Sequence, residues 1–263
     1  MEKANVKGLS IGYRRKGKGQ TLLLLHGGVS DSRYWERELT EYSQDYEVIA
    51  WDAPGCGVSD DPSKGFLLKD FAESLAGLCE ALKVSEAVVL GLSFGGGLAI
   101  EFAYRYPNLT KGLILVSAYA GWAGSLSPEE VSERLKKGRA QVHMAPEEVA
   151  DLWLPSLFHS TPTDAMLDHE RKIIKDFHPS GSLIMLEAFA KADLRDVLPK
   201  ITAPAVLLYG EEDVRAPIHV AKGIHEKLPS SKLVHIPQVG HLINLEASER
   251  FDQEVRKFLD HLF

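Results

Sequence analysis

Residues 91–97 read Gly91-Leu92-Ser93-Phe94-Gly95-Gly96-Gly97 and follow directly on the apolar run Ala87-Val88-Val89-Leu90. A Gly-x-Ser-x-Gly segment between a strand and a helix forces a reversal so tight that side chains at positions 91 and 95 would collide with neighbouring backbone. The serine is driven into a sparsely populated backbone region, at a cost of about 1–3 kcal/mol that the flanking elements must hold. Leu98-Ala99-Ile100-Glu101-Phe102-Ala103 continues as a helix whose N-terminus points at Ser93 and favours negative charge there.

The rest of the chain supplies a frame for such a turn. Thr21–Leu25, Glu47–Trp51, Ala87–Leu90, Gly112–Val116, Ala205–Tyr209 and Leu233–Ile236 are short apolar runs, the pattern of strands buried on both faces. Helix-period segments lie between them, such as residues 69–82. A last one places Phe251, Val255, Phe258 and Leu262 on one stripe. Val6 to Arg15 reads as a hairpin ahead of the alternation. The alternation predicts an α/β fold with a mostly parallel sheet and helices on both faces.

One block interrupts it. Residues 120–196 carry helix signals and no strand, which predicts one domain with an insertion: a core of 1–119 and 197–263, and a helical cap of 120–196. Ser127-Pro128-Glu129-Glu130 has an N-cap, a first-turn proline and a glutamate placed to close a capping box. Thr161-Pro162-Thr163-Asp164 repeats that logic, and Ala145-Pro146-Glu147-Glu148 is a weaker start. Four helices are expected over the carboxyl edge of the sheet.

Acyl transfer by serine needs a base, a group that orients the base, and donors for the developing oxyanion. Each has a candidate just after a predicted strand, where open α/β sheets bind ligands. The base is His241, in Val239-Gly240-His241. The acid candidate is Asp213, in Gly210-Glu211-Glu212-Asp213, where Glu211 and Glu212 compete with it. The oxyanion loop is His26-Gly27-Gly28, with the N–H groups of Gly28 and Phe94 as donors. Among the aromatic residues of the insertion, Trp122, Trp153 and Phe158 are candidates to line an apolar acyl pocket together with Phe94.

These motifs together resemble the α/β-hydrolase fold superfamily, in the branch with a helical cap after the sixth strand. The resemblance spans essentially the whole chain. It rests on His26-Gly27-Gly28, Asp52-Ala53-Pro54-Gly55-Cys56-Gly57-Val58-Ser59, the Ser93 turn, the Asp213 loop and Gly240-His241, in order and spacing. The order Ser93, Asp213, His241 is that of the hydrolase triad. The resemblance implies an eight-stranded, mostly parallel sheet with an inserted four-helix cap. It also implies a cofactor-free serine esterase or lactonase acting on a small molecule with an apolar acyl portion, possible substrates including acyl-homoserine lactones. Haloalkane dehalogenases and epoxide hydrolases of this fold carry Asp where this chain has Ser93. The alternatives it leaves are an enol-lactone or carbon–carbon bond hydrolase of aromatic degradation and a receptor-like protein with slow turnover. An enol-lactone with a free carboxylate would need a basic residue, and the insertion offers Arg139, Arg171 and Arg195. The Asp52–Ser59 stretch resembles a structural loop near the oxyanion turn.

Composition narrows the classes. A net charge of −7 and a pI near 5.8 argue against nucleic acid or an acidic membrane surface as partner. Arg14-Arg15-Lys16-Gly17-Lys18 reads as a solvated turn. No segment has the ~20 apolar residues of a membrane helix, the N-terminus lacks a signal-peptide core, and two cysteines make no disulfide framework. A reduced, cytoplasmic protein is expected, with no metal and no nucleic acid; the sequence leaves its oligomeric state open. His26 reads as structural, His235 as strand packing, His219, His225 and His261 as surface, and His143, His159, His169 and His178 as surface or satisfied polar groups of the cap.

Overall fold

The computed structural model describes residues 1–263. Eight strands, β1 (Glu2–Val6), β2 (Leu9–Lys16), β3 (Thr21–Leu25), β4 (Glu47–Trp51), β5 (Ala87–Leu92), β6 (Thr110–Val116), β7 (Ala205–Gly210) and β8 (Ser231–Ile236), form one sheet in the order β1-β2-β4-β3-β5-β6-β7-β8. β1, β2 and β4 pair antiparallel, and every pair from β4 to β8 is parallel. The helices are α1 (Glu36–Tyr42), α2 (Leu68–Leu82), α3 (Phe94–Arg105), α4 (Pro128–Gln141), α5 (Pro146–Trp153), α6 (Asp164–Ile174), α7 (Pro179–Lys191), α8 (Ile218–Lys227), α9 (Ile243–Glu246) and α10 (Ser248–Leu262).

The period of two explains the continuous apolar runs. In β3, Leu23 and Leu25 enter one core with α2, α3 and α8, while Leu22 and Leu24 enter the other with α1 and α10. Each of these leucines is essentially inaccessible to solvent, worth about 1.5–3 kcal/mol apiece. After β3 the chain crosses to β4 on one side, then returns to place β5 on the other. The carboxyl ends of β3 and β5 therefore flank the point where strand order reverses, which opens a crevice.

Four helices, α4 to α7, stand between β6 and β7. Ser127 and Glu130 close a reciprocal capping box at the start of α4. Glu148 accepts from the Ala145 N–H at 2.8 Å. At α6 the N-cap is Thr163, not Thr161, because it is the Thr163 hydroxyl that accepts from the Met166 N–H. The cap straddles both cores: Met185, Ala188 and Phe189 of α7 join the first, and Val149, Ala150, Leu154, Ile173 and Ile174 join the second. The gap between its halves lies over the crevice.

Two expectations fail here. Arg14, Arg15 and Lys16 belong to β2, where Arg14 pairs with Glu36 and Arg15 with Glu47, instead of forming a turn. His235 is exposed: β8 is the edge strand, and its other face is the one that meets the core through Val234 and Ile236. No helix is long and apolar enough to cross a membrane.

Candidate active site

Ser93 is the single residue between β5 and α3, with φ 55° and ψ −111°. A Cβ on Gly95 would run into the Leu25 carbonyl oxygen, and one on Gly91 into that of Gly95. The two glycines let β5, α3 and the end of β3 touch, and their contact holds the strained serine. The Ser93 N–H donates to the Val116 carbonyl at 2.8 Å. Its own carbonyl accepts from Gly96 and Gly97, so α3 begins on it.

The β3 loop is held by His26. Its Nε2 accepts from the Ala53 N–H at 3.0 Å, which leaves Nδ1–H to donate to the Gly27 carbonyl at 2.8 Å. Burial lowers the imidazole pKa and keeps this neutral form. Asp52 accepts from the N–H groups of Ser32 and Val58 at 2.8 and 2.9 Å, and Ser59 bonds Gly12 and the Asp52 carbonyl. The Asp52–Ser59 stretch thus braces the loop. The Gly28 N–H donates to no protein acceptor, and Phe94 is the first residue of α3, whose leading N–H groups have no helical partner.

Asp213 and His241 meet below the same crevice, 4% and 3% exposed. His241 Nδ1 is 2.8 Å from Asp213 Oδ2. Asp213 Oδ1 accepts from the Arg215 and Ala216 N–H groups at 2.8 and 2.9 Å. Burial alone would raise this carboxyl, but the imidazole and the two amides outweigh it and hold the pKa at about 2. An ionised acid only accepts, so the imidazole proton sits on Nδ1 and the Nε2 lone pair is free. Ser93 and His241 line one lobe of the cavity, without a hydrogen bond between Oγ and Nε2 in this state.

The loop that carries His241 is gripped from the cap. The Leu157 carbonyl accepts from the His241 N–H at 2.9 Å. Glu246 accepts through Oε2 from Gly240 at 2.7 Å and through Oε1 from the N–H groups of His159 and Ser160. Gly240 is required because a Cβ there would meet the His159 nitrogen. The crowding it relieves comes from the cap rather than the sheet.

Two lobes open on Ser93. The first spans about 660 Å³ of empty space, part of it open to solvent. Its walls include Phe94, Trp122, Trp153, Met185, Leu186 and Phe189, with Arg134 and Arg215. The second holds about 400 Å³ and adds His241, Leu157, Ser30, Tyr34 and Glu170. Trp122 and Trp153 are thus in the cavity. Phe158 is not: with the Leu157 carbonyl tied to His241, Leu157 faces the second lobe, and Phe158 lines an outer groove beside Leu154 and Pro155.

The three cap arginines noted in the sequence, which it placed in no pocket, lie outside the two lobes. Arg139 pairs with Glu187, Arg171 with Asp151 and Arg195 with Asp193. Arg215 sits two residues past Asp213, a position that could have marked it. Arg134 had no such signal, since only the fold of α4 brings it in. Glu170 was also missed. Its Oε1 is buried without a hydrogen-bond partner, and burial, with the Asp31 charge adding, pushes its pKa up to about 8.

The sequence pattern of the alpha/beta hydrolase fold family matches residues 20–248. The chain is 27% identical to a thermophilic esterase from Thermogutta terrifontis solved with malate bound, with a TM-score of 0.88 over 100% of this chain and 99% of that one. The enol-lactonase of Burkholderia xenovorans superposes with the same TM-score at 24% identity, over 98% of this chain and 100% of that one. A 2-(acetamidomethylene)succinate hydrolase of Mesorhizobium japonicum is 23% identical over 96% of this chain and 92% of its own.

Proposed function

The chain belongs to the α/β-hydrolase fold family, and on that premise we propose that it is a serine hydrolase cleaving a carboxylic ester or lactone through an acyl-enzyme. The observation that carries the reading is the buried Asp213–His241 pair facing the cavity lobe that also holds Ser93 on its strained turn. His241 Nε2 takes the Ser93 Oγ proton as Oγ attacks the carbonyl carbon. The N–H groups of Gly28 and Phe94 receive the oxyanion; one such donor is typically worth about 2.7–4 kcal/mol in the transition state. Collapse of the tetrahedral intermediate breaks the carbon–oxygen bond, and the imidazolium returns its proton to the leaving oxygen. Water, deprotonated by the same Nε2, then releases the acid. Asp213 stays ionised and fixes the tautomer throughout.

The leaving oxygen must lie within reach of His241, which lines the second lobe and not the first. The alcohol portion therefore occupies the second lobe, and the acyl portion extends into the first, between Phe94, Leu186 and Phe189. Ser93→Ala is expected to abolish turnover of p-nitrophenyl butyrate, and a fluorophosphonate probe to label Ser93 in the unaltered protein. Near-normal activity of the variant would overturn the assignment.

A further inference from the structure

Of the twelve arginines in this chain, ten form an ion pair with an aspartate or glutamate within 4.0 Å. The two that form none are Arg134 and Arg215, and both line the first lobe. Their placement is independent: Arg134 comes from α4 of the cap, Arg215 from the loop that follows β7.

Both guanidinium groups are anchored, and only to neutral groups. Arg134 donates through Nη1 to the Tyr119 hydroxyl at 3.1 Å and through Nη2 to the Arg215 carbonyl at 2.8 Å, with its guanidinium carbon 5.4 Å from the Trp122 ring centroid. Arg215 donates through Nη1 to the Ser156 hydroxyl at 2.8 Å and lies 4.1 Å from the Trp153 ring centroid. Arg215 Nε and Nη2, and Arg134 Nε, donate to no protein oxygen. Asp213 acts on Arg215, but both its oxygens are engaged with His241 and backbone N–H groups. Glu130, one turn before Arg134 on α4, acts on Arg134 without an ion pair and accepts from the Ser127 N–H. Two positive charges lining one lobe, neither in an ion pair, repel one another and lose hydration. A latch between cap and core would need neither charge. A ligand anion reaching the lobe would relieve both, through the fork geometry with which arginine meets a carboxylate.

We propose that Arg134 and Arg215 bind a free carboxylate at the far end of the acyl group, so that the substrate is a half-ester of a dicarboxylic acid or a lactone bearing a carboxylate. The apolar walls formed by Phe94, Leu186 and Phe189 suit a hydrocarbon segment between that carboxylate and the reacting carbonyl. The assignment rests on the acyl-lobe orientation given under Proposed function. It is a specificity contact, and the arginines take no part in bond making.

The test compares phenyl hydrogen adipate with phenyl methyl adipate, which differ only in the distal charge. The unaltered protein should favour the anion by about tenfold or more in kcat/KM, the scale of a charge-assisted contact. In Arg134→Gln and Arg215→Gln that ratio should fall toward one, through KM for the anionic ester, and Arg215→Lys should keep part of it. Equal kcat/KM for the two esters in the unaltered protein would overturn the proposal. So would a parallel loss on both esters in the variants, the mark of a latch alone. Binding of adipate itself, read by quenching of tryptophan fluorescence, needs no turnover and should weaken about tenfold in either Gln variant. If neither ester is cleaved and Ser93 resists the fluorophosphonate, the hydrolase reading fails. Adipate binding then still decides for or against the anion site.

Discussion

The N–H of His241 donates to the carbonyl oxygen of Leu157 at 2.9 Å, so the cap holds the backbone of the residue proposed as base. The neighbouring Glu246 clamp ties Gly240 to His159 and Ser160 across the same seam. Cap position and base position are therefore linked mechanically, and the seam is a place where the hydrolase reading meets experiment.

Glu246→Ala removes acceptors from three backbone N–H groups at once. Hydrogen bonds to a charged group are worth roughly 1.5–3 kcal/mol each, and part of that is recovered by water in the variant. We expect a lower midpoint in urea, and a kcat loss larger than any change in KM, because the base loop loosens while the acyl lobe stays intact. Glu246→Gln should recover part of kcat, since one amide oxygen can replace one of the two carboxylate oxygens. A variant with unchanged kcat would show that the clamp does not position His241.

Asp213→Asn leaves the shape of the pair but lets the side-chain amide donate toward Nδ1, which favours the wrong imidazole tautomer. By analogy with serine proteases, kcat should fall about ten-thousand-fold with little change in KM. The same residue carries an acid-stability signature. Its folded pKa of about 2 lies below the ordinary 3.8. Its contribution is thus complete above about pH 4 and is lost as pH falls toward 2, an amount on the order of 2 kcal/mol. Urea unfolding between pH 5 and 2 should show a steeper acid loss in the unaltered protein than in the Asn variant.

Glu170 has the opposite sign. Its folded pKa of about 8 lies above the ordinary 4.5. The stability it lends is complete below about pH 4.5 and is lost progressively as pH rises to about 8, because the unfolded chain ionises first. Glu170→Gln should therefore gain stability relative to the unaltered protein over that interval, by at most on the order of 4 kcal/mol, and level off above it. Thermal melts from pH 5 to 9 decide this. A difference independent of pH would mean that the carboxyl is charged in the folded protein.

The sequence by itself determined the frame and which candidate positions follow directly on strands. The placement of Ser93, Asp213, His241 and Gly28 was readable because each sits at a fixed distance from an apolar run or a glycine, and strand ends in a parallel sheet converge on one edge. His26 was legible as structural for the same reason: it directly follows the strand whose loop it braces. Tertiary structure decided what the cap presents. An aromatic residue of the cap can face core, solvent or cavity with the same sequence pattern, so Trp122 and Trp153 line the cavity while Phe158 packs into the second core and borders an outer groove. Charge was decided in the same way. Arg139, Arg171 and Arg195 found acids on the surface, whereas Arg134 and Arg215, from segments 81 positions apart by their numbers, both line the first lobe without an ion pair. Pairing across such a distance depends on how α4 docks against the β7 loop, and no local pattern encodes it.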